Sequence, residues 1–302
     1  MSVKVTGVHS TQGLRDLFGR GMNSDLYKLP ADKQEMDRLS LQHRIWKLMA
    51  DGLYPKEADA AIRRVLHRTK GDSNPPMILD IGSGSGTWAV EMAQKFPHAE
   101  VVGMDLIQST PRLVRLHEHS LLTQKFIKVG HQFCPVELHA EILALVTSVF
   151  TENLETYKLA RTGNDESEDR SQRVDHSWFA RWMFEVTERW TTRAQQNTDG
   201  DKLHILIDED GHFEEAQKIA YWSPIGWDGQ GIVSDTVKGA EIGRLMVLNV
   251  FDFLQASKPS LLASGLSKEV VESWVKNVQA EAINPAKHML LKWAITWATK
   301  RP

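Results

Sequence analysis

Met77-Ile78-Leu79-Asp80-Ile81-Gly82-Ser83-Gly84-Ser85-Gly86-Thr87, continuing to Val101-Val102-Gly103-Met104-Asp105, is the stretch on which the fold turns. Met77 to Ile81 is a short apolar run of the kind found in a buried parallel strand. Thr87 to Phe96 then places Trp88, Val90, Met92, Ala93 and Phe96 at helical spacing, and Pro97-His98 breaks the pattern. Val101 to Asp105 is a second strand. The stretch is therefore one βαβ unit of about thirty residues, with an acid at the end of each strand.

The chemistry follows from the bend. Glycines at alternate positions after a strand allow a tight turn and let a ligand approach where a Cβ would collide. The new helix presents unpaired N–H groups and the positive end of its dipole. Asp105 is placed to accept hydrogen bonds from a ribose diol, so the unit reads as a nucleoside-cofactor site. Two cofactor patterns fit. G-x-G-x-x-G/A passes on Gly84, Gly86 and Ala89, which would make the chain an NAD oxidoreductase but leaves Gly82 unexplained. D-x-G-x-G-x-G is met in full by Asp80, Gly82, Gly84 and Gly86. An acid before the loop suits the α-ammonium of a methionine moiety better than a pyrophosphate, because opposite charges attract. The acids favour S-adenosyl-L-methionine over NAD.

Outward from this unit the pattern is α/β. Helical periodicity begins after Pro30 with Met36, Leu39, His43, Ile45, Trp46 and Met49, and a second helix spans about Lys56 to Arg68. Gly71 to Pro76 is a turn or linker. Beyond Asp105 the spacing predicts a strand at Phe126 to Val129, a helix or strand through Val136 to Phe150, and a strand at Leu154 to Leu159. A polar loop follows over Arg161 to Asp175, then an aromatic helix from Ser177 to about Ala194. Strands are predicted at Ala216 to Trp222 and Met289 to Ala298, with helices near Lys238–Leu254 and Ser267–Ala282 between them, Ser267 capping the second. Strands alternating with helices call for a doubly wound, mostly parallel sheet.

Composition excludes other classes. The 302 residues carry 36 Lys+Arg against 39 Asp+Glu, a net charge of −3, which argues against direct nucleic-acid binding. The aliphatic stretch Ile142 to Phe150 is too short to span a bilayer, and the N-terminus has no apolar secretory core. With Cys134 as the single cysteine, no internal disulfide can form. The expectation is an intracellular protein, cytoplasmic or nuclear. His117-Glu118-His119 and His131-x-x-Cys134 lack a full set of zinc ligands, so no metal is expected. Asp208 to His212 lacks the twelve-residue calcium pattern and reads as a helix-ending loop. Trp178, Trp182 and Trp190 at helical spacing read as core. Ser83 and Ser85 lack the partners of a nucleophile.

Asp80 to Ala89 with Val102 to Leu106 resembles the class I S-adenosylmethionine-dependent methyltransferases, and more narrowly the fungal LaeA-like group. The narrower likeness also rests on Tyr27-Lys28-Leu29-Pro30 with Asp32, Glu35, Arg38-Leu39 and Gln42-His43. Its third part is Ile225-Gly226-Trp227 with Glu241-Ile242-Gly243-Arg244 and Leu248-Asn249. The resemblance implies a Rossmann-like, seven-stranded, doubly wound sheet with the last strand antiparallel, over residues 71–302. It implies an N-terminal helical lid over residues 1–70. Asp80, Gly82, Ser83, Gly84 and Gly86 would line the cofactor, Asp105 and Leu106 would meet its ribose side, and Tyr27 or His43 would approach from the lid. Residues 107–175 depart from the family pattern, with no acidic motif, acid-led fourth strand or proline-glycine-glycine turn between Leu106 and Thr156.

Methyl transfer needs its reactants held in line, and a base only where the acceptor is a hydroxyl; His43 is the candidate base. The implied acceptor is a small molecule of fungal secondary metabolism. The alternative is a methyltransferase-fold regulator that works through a protein partner.

Overall fold

A computed structural model describes residues 14–23, 28–67, 75–105, 143–153, 177–190 and 203–301. A short antiparallel hairpin, β1 (Arg15–Leu17) and β2 (Arg20–Met22), precedes helix α1 (Lys33–Ala50). Asp32 starts that helix and anchors the hairpin at once. Its carboxylate accepts from the Glu35 N–H at 3.0 Å and from Arg20 at 2.7 and 2.9 Å. A 3-10 turn at Lys56–Ala58 leads into α2 (Asp59–Val65), a shorter helix than the spacing predicts. Then come β3 (Met77–Ile81), α3 (Thr87–Lys95) and β4 (Glu100–Met104), the βαβ unit read from the sequence, each boundary within about a residue.

The rest of the chain builds the larger sheet and its helical cover. β5 (Leu143–Asn153) is a strand where the spacing left helix or strand open over 143–150, and residues 136–142 lie outside the described residues. α4 (Trp178–Trp190), α5 (Leu203–Asp210), β6 (Gln217–Ile225), α6 (Thr236–Ala263), α7 (Lys268–Ala282) and β7 (Met289–Thr299) follow. Ser267 caps α7 as expected, accepting from the Val270 N–H at 3.3 Å. The strands expected at Phe126–Val129 and Leu154–Leu159 lie outside the described residues.

Strand pairing refines the expected sheet. β3 and β4 are parallel, Asp80 facing Gly103 in register. β7 lies between β5 and β6 and runs antiparallel to both. The final strand is thus antiparallel, but the described strands form sheets of two, two and three, and the larger one contains no parallel pair. The fold is α/β and Rossmann-like; a single seven-stranded sheet goes beyond these pairings.

The main core lies between α1, α4, α6, α7 and the inner strands, with Ile45, Trp182, Ile242, Met246, Leu254 and Val278 almost wholly enclosed. A second cluster joins Leu53, Tyr54 and Ile62 to Met92 of α3, to Phe96 just past its end and to Trp297. The N-terminal helices expected as a lid are therefore also part of the body, since α1 buries Ile45 and Met49 in the main core. Glu35 and Arg38 form a buried bidentate pair, at 3.0 and 2.6 Å, that reaches Asn249 of α6. Within the tryptophan stripe, Trp182 is core and donates to Ser257 Oγ at 2.9 Å, whereas Trp178 is 40% exposed.

Candidate functional site

The bend after β3 explains its glycines. Gly82, Gly84 and Gly86 all hold left-handed backbone, at φ of 79°, 52° and 73°. That conformation is strained for L side chains and free for glycine. The Gly86 N–H closes the turn onto the Ser83 carbonyl at 2.7 Å, and Gly86 then opens α3. Because Gly82 is used as well as Gly84 and Gly86, the four-member D-x-G-x-G-x-G pattern accounts for more of the loop than the dinucleotide register does.

The two acids meet at this bend. Asp105, one residue beyond β4, accepts from the Gly84 N–H at 2.6 Å and so ties the loop to the second strand. Burial pushes the Asp80 carboxyl up to about 6, and the nearby charge of Asp105 pushes it the same way. Two carboxylates therefore share one end of the βαβ unit, and one of them is poorly stabilised as an anion. Two carboxylates this close make that end of the unit favourable to a cationic group.

The bend has further unsatisfied capacity. Ser83 Oγ is buried without a hydrogen-bond partner among the described residues. It sits against β4, 3.1 Å from where a Cβ on Gly103 would stand, so Gly103 is small to admit it. An orphaned hydroxyl, glycines without side chains and a paired acid site suit an adenosyl ligand with an ammonium tail. Asp80, Ser83, Gly84 and Asp105 are the residues that would hold it.

Helix α1 approaches the same loop. Leu39 Cδ1 lies 2.9 Å from the position a Cβ on Gly84 would take. One turn on, His43 Nε2 is 3.3 Å from Glu91 Oε2 of α3, and Lys47 Nζ reaches that oxygen at 2.6 Å. Burial holds the His43 imidazole below its ordinary value, while Glu91 pulls it up. The charged groups acting on His43 are Glu91 and Lys47, which makes its visible role a helix-to-helix contact. Tyr27 and Leu106 lie outside the described residues. Sequence reading passed over Leu39 and Glu91 as site elements; the signal available was the spacing of Leu39, His43 and Lys47, four residues apart on one helical face.

Other places are less suited to the chemistry. A cavity of about 430 Å³ lies beside α2 and the end of β7, lined by Glu57, Ala60, Arg64, Glu214 and Trp297 among others, and none of its lining residues belongs to the glycine loop. Among the described residues no group of three or more His, Cys, Asp or Glu could hold a metal. The His117 and His131 clusters lie outside them. Asp208 and Asp210 are occupied as turn acceptors, from the Ala216 N–H at 2.7 Å and the His212 ring at 2.9 Å. No described helix is long and apolar enough to cross a membrane.

A family described as a putative methyltransferase matches residues 74–121, which contain the whole βαβ unit. The secondary metabolism regulator laeA of Coprinopsis cinerea is 33% identical over 294 residues, spanning 88% of this chain and 69% of that protein. This chain belongs to the LaeA-like S-adenosylmethionine-dependent methyltransferase family. Other members match over shorter stretches. The secondary metabolism regulator LAE1 of Cochliobolus heterostrophus is 35% identical over 31% of this chain and 28% of its own length. The Emericella nidulans protein-methionine methyltransferase laeA is 36% identical over 31% of this chain and 21% of its own length. An N-methyltransferase from Haemonchus contortus, solved with S-adenosylhomocysteine, covers 88% of this chain and 58% of its own at 13% identity and a TM-score of 0.30, too distant to bear on the site.

Within this LaeA-like chain the third resembling stretch has a packing role. Gly226 donates to the Gly243 carbonyl at 3.1 Å, and the Trp227 indole donates to the Met289 carbonyl at 2.7 Å. It locks the start of α6 onto the end of β6 and the start of β7.

Proposed function

We propose that this LaeA-like protein binds S-adenosyl-L-methionine at the Asp80–Asp105 bend and transfers its methyl group to a small molecule of fungal secondary metabolism. The observation that carries the reading is the pairing of two carboxylates across a bend made of left-handed glycines. The cofactor, when bound, supplies an already activated methyl group. The chain's own work is positioning. Asp80 offers a negative charge to the ammonium, Asp105 offers acceptors to the ribose diol, and the Ser83 hydroxyl and the loop N–H groups satisfy the remaining polar atoms. His43, kept neutral by burial, is the side chain in this region able to take a proton from a hydroxyl acceptor.

A second reading has support of its own, since two of the relatives reported above carry the name of secondary metabolism regulators. There the bend would bind the same cofactor, and the protein would act mainly through a protein partner. Methyl donor labelled on its transferable group, incubated with this chain and a fungal metabolite extract, separates the two. The enzymatic reading expects label in a small-molecule product that Asp105→Ala no longer forms. Label absent from every small molecule, with the cofactor bound, supports the regulatory reading and rejects the first.

A further inference from the structure

We infer that Leu39 of α1 is a ligand-covering and specificity-determining residue of the nucleoside site, held over the glycine bend by a carboxylate clasp between α1 and α3. The inference rests on the cofactor reading above. Three observations carry it. Leu39 Cδ1 stands within 2.9 Å of the Cβ position of Gly84, the middle glycine of the bend and the one whose N–H is held by Asp105. Leu39 is only half-buried and is not among the apolar residues packed into the core clusters, although Leu41, Ile45, Trp46, Leu48 and Met49 of the same helix are. An apolar side chain left out of the core and pressed on a polar loop has the chemistry of a cover.

The third observation concerns how the cover is kept in place. Residues four apart share a helical face, and the face that carries Leu39 also carries His43 and Lys47. Both reach the same Glu91 oxygen, at 3.3 and 2.6 Å. Further along, the Trp88 indole of α3 donates to the Leu53 carbonyl at 2.8 Å, just past the end of α1. Helix α1 is therefore fastened to α3 at successive levels, and α3 begins at the glycine bend. A nucleoside lying along that bend would meet Leu39 beside Gly84, as an apolar wall at the edge of the polar loop. A bulkier wall would narrow the same space.

Calorimetric titration with S-adenosylhomocysteine, with thermal melting of each variant, tests this. Leu39→Ala is expected to weaken binding about tenfold, from the lost apolar contact, while melting shifts little because Leu39 lies outside the core. Leu39→Met, similar in volume, is expected to restore binding to within about twofold. Glu91→Gln should weaken binding about threefold by loosening the clasp. Wild-type protein that binds no ligand would overturn the cofactor reading and this inference with it. Wild-type protein that binds, with Leu39→Ala binding equally well, would overturn the inference alone.

Discussion

Asp80→Asn is expected to make the protein more stable at neutral pH and at the same time a much weaker binder of S-adenosylhomocysteine. The two effects have one cause. Burial and the charge of Asp105 raise the Asp80 carboxyl from 3.8 to about 6, so the folded state prefers it protonated. A carboxyl raised on folding contributes stability that is fully present below its unfolded value and is lost as pH rises through its folded value. The window here runs from about pH 4 to about pH 6. Taken in full, a shift of this size is worth about 3 kcal/mol, and partial solvent screening reduces it to on the order of 1 kcal/mol. The amide removes that penalty. In the complex the preference inverts, because an ammonium beside Asp80 favours the anion. Ligand binding by the wild type should therefore release a proton and weaken as pH falls below about 6. The neutral amide should bind about 30-fold to 100-fold more weakly at pH 7.5, the low end of the range for removing one partner of a buried charge pair, and should lose the pH step. Thermal melts and titrations across pH 5 to 8 check both arms. A variant with wild-type affinity would mean that the ammonium is held elsewhere.

Gly243→Ala is expected to destabilise the protein strongly, although it adds only one carbon. Within a helix, alanine is ordinarily better than glycine by about 1 kcal/mol, so propensity alone predicts stabilisation. Packing reverses the sign. A Cβ at Gly243 would stand 2.1 Å from the Trp227 carbonyl oxygen and 3.1 Å from two further backbone atoms of Trp227. Backbone cannot swing aside as a side-chain tip can, and Trp227 is itself pinned through its indole to Met289. Separating α6 from the Gly226–Trp227 turn would open the main core along Ile242 and Met246. We expect a loss of about 4 kcal/mol, and a melting temperature lower by about 6 °C for a chain of this size. Gly265→Ala is the control. Its φ of 95° is strained for alanine, but nothing lies within 4 Å of the added carbon, so about 1–2 kcal/mol is expected. Equal melting of the two variants would remove the packing explanation.

The comparison of sequence and structure divides along physical lines. The βαβ unit was legible because its signals are local: an apolar run, glycines where the backbone turns left-handed, and periodic apolar residues after them. Ser267 and β7 were legible for the same reason. The full length of α6 was not. Expected to stop near Leu254, it continues through the buried Pro259 to Ala263, because Ala256, Ser257 and Leu261 are packed into the interior and tertiary burial outweighs the proline signal. That the final strand is antiparallel came only from the family likeness, since strand direction leaves no mark in residue spacing, and its place between β5 and β6 was not foreseen. At the site, Asp105 and the glycine bend, expected to act together, are joined by the Gly84 N–H. Leu39 and Glu91 were missed because each is ordinary in its own helix and acquires meaning only where α1 meets α3. The Gly226–Trp227 and Gly243 stretch served as a family signature, and its visible physical content is close backbone packing.

The most direct measurement is calorimetric titration of the wild-type chain with S-adenosylhomocysteine at pH 7.5, repeated with Asp105→Ala and with NAD. Saturable heat at one site, lost in the variant and absent with NAD, is the predicted result. No heat and no thermal shift with millimolar S-adenosylhomocysteine, or binding that survives the loss of Asp105 unchanged, would contradict the assignment of the glycine bend as the cofactor site.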